Sequence, residues 1–232
     1  MAIDPVKVKE FWDAQARKSK RMRIEGVANL EEDPALLEMK VQAEKAKIMG
    51  MVSLNPASRV LDLGAGAGQW SFRFAEQAED VVAVEYSGEM LELARNERER
   101  LGTDNVTLVQ MTAQDYVSEK PFDLVFISGL LIYLADEDCE KLAAQCADNT
   151  LSGGILILRD GTGILGRYEI NNRFSEALNA HYSAIYRTAE DYVSLFERHG
   201  FRLRRHEDMF EEGSPLNKWK ETRLRVYCFE KP

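Results

Sequence analysis

The sequence predicts an α/β fold in which a mostly parallel sheet lies between two layers of helices. From Ser58 onward, short apolar runs alternate with segments of helical periodicity; the runs are RVLDLG, DVVAVE, VTLVQM, FDLVFIS and GILILRD. Continuous apolar strands separated by helices are typical of parallel strands that are covered on both faces. A glycine-rich turn joins the first run to the helix that follows it, as in sheets that bind a ligand at the carboxyl ends of their strands. We therefore predict a doubly wound, three-layer α/β sandwich.

Two helices are predicted before the sheet begins. Asp4-Pro5 and Asp33-Pro34 each place a capping side chain before a proline, which is favoured at the first position of a helix. The segment between these helices, SKRMRIEGVANLEED, is predicted to be a polar connector. We expect residues 1–57 to form a helical cap or lid over a ligand-binding domain of residues 58–232, with the two acting as one functional domain.

After the fifth apolar run, the chain is predicted to hold an insertion, a helix and two strands. Thr188 and Asp191 suggest a cap for the helix TAEDYVSLFERHG, and FRLRRHEDM and ETRLRVYCFE are predicted to be the last strands. Residues 161–187 follow the carboxyl end of a strand, where ligands of such sheets lie. We expect this segment, rich in Arg, Tyr and Asn, to be a substrate cap; a helical surface insertion is the alternative.

Composition and charge exclude several classes of protein. The chain has 232 residues, and 30 Lys and Arg stand against 39 Asp and Glu, giving a formal net charge of −9. Nucleic-acid binding depends on basic residues that neutralise phosphates, so this balance makes a nucleic-acid partner unlikely. The most apolar run, Leu124 to Ala135, is shorter than the roughly 20 residues that span a bilayer, so we predict no membrane-spanning segment.

Cysteine and histidine patterns point to neither disulfides nor metal. Cys139, Cys146 and Cys228 show no C-x-x-C spacing, and we predict packed, reduced thiols in a cytoplasmic protein. The three histidines are scattered without paired ligand spacing, so no metal site is predicted. The sequence gives no indication of the oligomeric state.

The sharpest motif is the glycine loop DLGAGAG of residues 62–68, together with an acid on the next strand. Gly64, Gly66 and Gly68 permit a tight turn and the close approach of a ligand. Glu85 ends the second apolar run 17 residues after Gly68, where a carboxylate can accept hydrogen bonds from both ribose hydroxyls. The G-x-G-x-G spacing fits neither a dinucleotide fingerprint nor a P-loop, which would need a following G-K-[S/T]. These residues predict a cofactor that contains a nucleoside.

In this order and spacing, four motifs resemble those of the class I S-adenosylmethionine-dependent methyltransferases, a Rossmann-like family. The motifs are DLGAGAG at 62–68, VVAVEYS at 81–87, PFDLVF at 121–126 and LSGGILI at 151–157. The resemblance runs from about Val60 to Phe201. It implies a seven-stranded sheet of order 3-2-1-4-5-7-6 with strand 7 antiparallel, S-adenosyl-L-methionine as cofactor, and in-line transfer of a methyl group to a small-molecule acceptor through nitrogen, oxygen or an acidic carbon.

The resemblance also implies a set of cofactor-binding residues. The glycine loop would line the methionine and ribose part, Asp62 would support the loop, and Tyr86 would pack on the adenine. Thr112 stands where the family often has an acid, so Thr112, the Ala113 amide and Gln114 are alternatives for the contact with the adenine amino group. The complete set is Asp62, Gly64, Ala65, Gly66, Gly68, Glu85, Tyr86, Thr112, Ala113, Gln114 and Ser128.

The acceptor site and the catalytic groups are less defined by sequence. Candidates for a general base are Tyr133, Asp160 and His181, although a neutral amine acceptor needs none. Candidate substrate-binding residues are Trp12, Tyr133, Arg159, Arg173, Tyr182, Tyr186 and Arg187. Arginines of the 161–187 segment could pair with a carboxylate or phosphate. A tRNA or other macromolecular methyltransferase, and an NAD-linked or non-catalytic Rossmann-like module, are the alternatives.

Overall fold

A computed structural model describes residues 3–19, 24–27, 31, 33–175 and 180–232. Within them, seven strands form one sheet of order β3-β2-β1-β4-β5-β9-β8, and β6 and β7 form a separate hairpin. The strands are β1 Arg59–Leu63, β2 Asp80–Glu85, β3 Val106–Gln110, β4 Phe122–Ser128, β5 Thr150–Gly163, β6 Tyr168–Ser175, β7 Ala180–Tyr186, β8 Arg202–Asp208 and β9 Thr222–Glu230. β9 runs antiparallel to both of its neighbours, and the other pairings in this sheet are parallel. The predicted strand order and the antiparallel last strand are confirmed.

Apart from α2, the helices of the described residues lie at the positions that the sequence predicts. They are α1 Pro5–Lys18, α2 Ile24–Val27, α3 Pro34–Met49, α4 Gln69–Ala75, α5 Gly88–Leu101, α6 Asp136–Asn149 and α7 Ala189–Arg198, with 3-10 turns at Ala113–Asp115 and Leu131–Tyr133. Asp4 and Asp33 cap α1 and α3 by accepting backbone amides of the first turn. Thr188 and Asp191 form a reciprocal capping box on α7. Both kinds of cap follow the predicted residues.

Successive side chains along each strand point to opposite faces of the sheet, so the core is divided between these two faces. Leu61 and Leu63 of β1 belong to the cluster that includes Leu142 of α6 and Phe196 of α7. Val60 belongs to the opposite cluster, with residues of α3 and α4. Cys139 and Cys146 are buried in the first cluster and Cys228 in the second, and all three are free thiols. The predicted three-layer sandwich is confirmed.

Two segments differ from the sequence-based expectation. The helical alternative for residues 161–187 is wrong, because β6 and β7 pair as an antiparallel hairpin in this stretch. The connector before α3 includes one helical turn, α2, whose Ile24 and Val27 face the interior. Short alternating stretches such as YEINNR carry too few apolar residues for periodicity to distinguish a strand from a helix.

No helix within the described residues is long and apolar enough to cross a membrane.

Candidate functional site

Backbone hydrogen bonds connect the glycine loop to the neighbouring strand β2. The amides of Gly64 and Ala65 donate to the Val84 carbonyl at 2.8 and 3.0 Å. Gly64, Gly66 and Gly68 all have positive φ, between 57° and 85°, a backbone conformation that residues other than glycine rarely adopt. At Gly68, an added Cβ would lie 2.6 Å from the Phe72 ring, whereas at Gly66 it would meet nothing within 4 Å. Gly68 is therefore needed for packing, while Gly66 keeps a space open.

Glu85 joins this loop to the turn after β2. Its carboxylate accepts the Gly66 amide at 3.0 Å and the Ser87 amide at 2.8 Å. The side chain is 7% exposed, and burial raises its pKa while the backbone amides lower it. A carboxylate offers about four acceptor positions, so two remain after these bonds. The arrangement suits a pair of hydroxyl donors.

Asp62 lies beneath the loop at the end of β1. It accepts the hydroxyl of Ser71 at 2.6 Å, which ties β1 to the first turn of α4. Burial raises the pKa of Asp62 to about 7, and the charge of nearby Glu85 adds to this shift. Asp62 therefore supports the loop from within the protein.

Helix α1 closes over the turn that follows β2. Tyr86 donates its hydroxyl to the Pro5 carbonyl at 3.1 Å, and Ser87 donates to Asp13 at 2.5 Å. Further along the site, the Trp12 ring packs edge-on against Tyr133 with 5.6 Å between centroids. α1 thus forms part of the wall of the site.

A cavity of about 410 Å³ opens at the carboxyl ends of β1, β2, β4 and β5. It brings together most of the residues predicted to bind the cofactor, and those that line it are Asp62, Gly64, Ala65, Gly66, Glu85, Tyr86, Thr112, Ala113, Gln114 and Ser128. Of the predicted substrate residues and bases, those that line it are Trp12, Tyr133, Arg159, Asp160 and Tyr186. One cavity therefore joins the predicted cofactor and acceptor ends.

At the acceptor end, Asp160 is fully buried and both of its oxygens are engaged. They accept the amides of Leu131 at 2.7 Å and Gly161 at 2.8 Å, and burial raises the pKa of Asp160 to about 6. Tyr186 packs directly on Gly161, because a Cβ there would lie 2.6 Å from its ring. Burial raises the pKa of the Tyr133 hydroxyl, which therefore stays protonated near neutral pH. Asp160 fixes the turn after β4, and Tyr133 offers a hydroxyl donor.

The remaining predicted residues do not line this cavity. Arg187 is 4% exposed and donates to the carbonyls of Leu131 and Leu134 and to Asp136. Arg173 is exposed on β6, and Gly68 lies outside the lining. His181 and Tyr182 line a separate cavity of about 110 Å³ between α1 and the β6–β7 hairpin. His181 lies on a strand rather than on a helix, and its Nδ1 is 2.9 Å from the Asn172 carbonyl oxygen.

Several cavity residues were missed by the sequence analysis. They are Gln69, Trp70 and Met90 near the glycine loop, Lys40 on α3, and Lys218, Trp219 and Arg223 near the β8–β9 connection. The Gln69 amide nitrogen is buried without a hydrogen-bond acceptor in the described part of the chain. Gln69 directly follows the glycine loop, which could have marked it. Nothing local distinguishes Lys40 from the other lysines of α3.

No cluster of three or more His, Cys, Asp or Glu suited to a metal ion occurs among the residues that the structure describes.

Comparison with known families agrees with this geometry. Residues 60–154 match the family model described as a methyltransferase domain. They run from the start of β1 through the glycine loop and Glu85 to the start of β5. Residues 60–154 are therefore similar to a methyltransferase domain.

Solved structures with this methyltransferase fold cover nearly the whole chain. The DhpI–SAH complex superposes with a TM-score of 0.66 at 18% identity, covering 97% of this chain and 95% of that one. The 1,6-didemethyltoxoflavin-N1-methyltransferase of Burkholderia thailandensis, bound to its substrate and S-adenosylhomocysteine, gives 0.67 at 17% identity, covering 100% and 92%. At these identities the likeness concerns the fold.

Sequence relatives of the methyltransferase domain act on different acceptors. Phosphoethanolamine N-methyltransferase 1 of Zea mays is 25% identical over 118 residues, which are 50% of this chain and 24% of that protein. The tRNA 5-carboxymethoxyuridine methyltransferase of Escherichia coli K12 is 36% identical over 81 residues, which are 34% of this chain and 31% of that protein. The chain therefore spans only about a quarter to a third of the length of these relatives.

Proposed function

We propose that the protein transfers a methyl group from S-adenosyl-L-methionine to a small-molecule acceptor. The observation that carries this proposal is the buried Glu85 carboxylate, which holds the glycine loop through Gly66 and keeps two acceptor positions for a ribose diol. The family match and the SAH-bound structures of the same fold support the choice of cofactor.

The cavity residues divide between the two ends of the cofactor. Tyr86 and the segment Met111–Gln114 would flank the adenine, which stacks well on apolar and aromatic side chains. Gly64, Gly66 and Gln69 would lie along the methionine end, where the Gln69 amide could donate to a carboxylate after a rotation about its last bond. Asp62 would hold the loop in place through Ser71.

Methyl transfer mainly requires that the acceptor atom be aligned with the methyl group of the cofactor. When bound, the cofactor supplies a methyl group already activated by its sulfonium. The protein's task is to hold the acceptor in line with that methyl group, and such positioning can contribute several kcal/mol. Trp12, Tyr133 and Tyr186 would form the walls that orient the acceptor and exclude water.

A nitrogen acceptor fits the groups at this end best. The Tyr133 hydroxyl has a raised pKa and is therefore not poised to remove a proton, and Asp160 holds the backbone amides of Leu131 and Gly161. His181 lies at the other cavity. A neutral amine can be methylated without a dedicated base, whereas a hydroxyl group would want one.

Helices α1 and α2 and the β8–β9 connection favour a small acceptor over tRNA. α1, α2 and the β8–β9 connection all contribute to the wall of this cavity, whose volume of about 410 Å³ is in the range of small-molecule sites. The net charge of −9 also disfavours a polyanionic partner. Because one relative is a tRNA methyltransferase, tRNA is included as an alternative acceptor in the test below.

Two measurements test this function. Calorimetry with S-adenosylhomocysteine should give saturable binding, with no binding of NAD. Transfer of labelled methyl from S-adenosylmethionine should then be measured with the small-molecule fraction of a cell extract and with bulk tRNA. Label in small molecules supports the proposal; label only in tRNA, weakening steeply as salt rises, supports the alternative.

We infer a cytoplasmic location for this activity. Cys139, Cys146 and Cys228 are buried and free, which suits a reducing compartment. Cell fractionation with an antibody against the protein tests this inference.

A further inference from the structure

Four basic side chains converge on the acceptor end of the cavity. Lys40 comes from α3, Arg159 from the end of β5, and Lys218 and Arg223 from the β8–β9 connection and the start of β9. Arg159 lies two strands away from β1, since the order is β1-β4-β5. With about 4.8 Å between neighbouring strands, its backbone is roughly 10 Å from the strand that carries the glycine loop. Glu44, one turn from Lys40 on α3, pairs with Arg159, so these two cations lie together toward the acceptor end.

The acidic side chains of this region are already committed to other partners. Lys218 pairs with Glu31 at 2.7 Å, and Arg159 pairs with the buried Glu44 at 2.5 Å. The oxygens of Asp160 accept backbone amides. These pairings neutralise two of the four cations.

Lys40 is left without a partner. Its ammonium makes no hydrogen bond or ion pair with any residue that the structure describes, although the side chain is half-buried and lines the cavity. Burial lowers the pKa of Lys40, and Glu44, one turn along α3, acts in the opposite direction. Glu31 acts in the same direction as Glu44, but each of these carboxylates is paired with another cation, Lys218 or Arg159. An anion bound beside the Lys40 ammonium would offset the cost of its desolvation.

Arg159 and Arg223 add further donors to the lining of the same cavity. Arg159 donates to Ser128 at 3.0 Å and to Glu44, but its Nε is buried without an acceptor among the described residues. Arg223 donates to the carbonyls of Trp219 and Thr222 and pairs with no described carboxylate. The cluster thus has more N–H donors and positive charge than its own acceptors satisfy.

We propose that the methyl acceptor carries an anionic group, a carboxylate or a phosphate, that binds at Lys40 beside Arg159 and Arg223. This inference rests on the proposed function and specifies the substrate class of the same site. Sequence analysis placed such an anion on Arg173 or Arg187. Arg187 is instead saturated by Asp136 and two carbonyls, and Arg173 lies outside the cavity.

The first test needs no knowledge of the acceptor. Sodium phosphate or sodium acetate is added to the protein with sodium chloride adjusted to constant ionic strength, both without cofactor and with saturating S-adenosylhomocysteine. At about ten times the dissociation constant, either anion should raise the melting temperature by roughly 2–5 °C.

Two lysine variants locate the effect. Lys40→Met should abolish the shift, and it should be tolerated because Lys40 has no hydrogen bond or ion pair to lose among the described residues. Lys45→Met is the matched control, since it removes the same charge from the same helix outside the cavity lining. No shift in the parent protein, or an equal shift in the Lys40→Met variant, overturns the proposal, whether or not the protein binds the cofactor.

The second test uses the reaction itself. Small molecules from a cell extract are separated on an anion-exchange resin at neutral pH, and each pool is assayed for transfer of labelled methyl. We expect the acceptor in the retained pool. If its anionic group is a phosphate, phosphatase treatment of the pool should abolish methyl transfer. If the group is a carboxylate, amidation with a carbodiimide should abolish it. Label confined to the unretained pool overturns the anion proposal but leaves the methyltransferase proposal intact.

Binding constants then separate the acceptor from the cofactor. Lys40→Met should raise the KM of the retained acceptor at least tenfold and leave the Kd of S-adenosylhomocysteine within twofold. If the Kd rises and the KM does not, Lys40 holds the carboxylate of the cofactor and the proposal is wrong.

Discussion

Replacing Glu85 by glutamine tests the cofactor site at the side chain that joins its two halves. The carboxylate accepts two backbone amides, from Gly66 at 3.0 Å and Ser87 at 2.8 Å, which leaves about two of its four acceptor positions for hydroxyl donors. Glutamine keeps one oxygen and turns an NH₂ group toward one of these amides. The variant therefore loses the charge and at least one hydrogen bond to the ribose.

The size of the effect follows from those bonds. A hydrogen bond to a charged group contributes about 1.5–3 kcal/mol, which corresponds to a rise of roughly 10- to 150-fold in Kd at about 1.4 kcal/mol per tenfold. The stability of the unliganded protein should fall by less than the binding free energy does. Burial raises the pKa of Glu85, so removing the charge relieves part of the cost of desolvating the carboxylate.

The assay is calorimetric titration of S-adenosylhomocysteine into the variant and the parent protein at pH 7.5. Asp80→Asn is the matched control, since Asp80 begins the same strand, pairs with Arg59 at 3.1 Å and lies outside the cavity lining. It should leave the Kd unchanged. A folded Glu85→Gln protein with a Kd within twofold of the parent would refute the assigned contact with the ribose.

Three further predictions follow from the structure. Gly66→Ala and Gly102→Ala should lower stability similarly, because both glycines have positive φ and an open Cβ position. Only the Gly66 variant should weaken binding of S-adenosylhomocysteine, and equal affinities would count against the loop assignment. Asp62→Asn should increasingly stabilise the unliganded protein relative to the parent as pH rises from 5 to 7. A folded pKa near 7, above the unfolded value near 4, removes up to about 1.4 kcal/mol of stability per pH unit over that interval; a pH-independent difference in urea unfolding would contradict this. Arg187→Met should lower the free energy of unfolding by about 2–4 kcal/mol, since two carbonyls lose their donor. Unchanged stability with a raised acceptor KM would instead restore the predicted role in substrate binding.

The cofactor end of the cavity was largely predictable because its residues follow one another along the chain. Asp62 to Gly68 form a single turn, and Glu85 ends the strand that pairs with β1 in register. Parallel pairing of adjacent strands brings their carboxyl ends together, so linear spacing translates directly into proximity. Gln69 was missed although it continues the same turn.

The acceptor end depends on contacts between segments that are distant in sequence. Lys40 reaches the cavity because α3 packs over the end of β5, where Glu44 pairs with Arg159 across 115 residues. Arg187, predicted as a substrate ligand, turns away from the cavity to satisfy carbonyls of the turn after β4. This packing decides which of several arginines and lysines faces a cavity. Sequence periodicity shows which face of a helix or strand is buried, but not which other element packs against that face.

The resemblance to the class I methyltransferases implied the strand order, and the sequence by itself determined the caps of α1, α3 and α7 and the glycine turn after β1. These features depend on local backbone chemistry and on the alternation of apolar residues, which the chain carries wherever it folds. Only the tertiary structure decided that α1 closes over the turn after β2, that β6 and β7 pair as antiparallel strands, and that Lys40 lines the cavity without an ion pair among the described residues. Those outcomes depend on which charges and surfaces meet across the fold, and no short stretch of sequence contains that information.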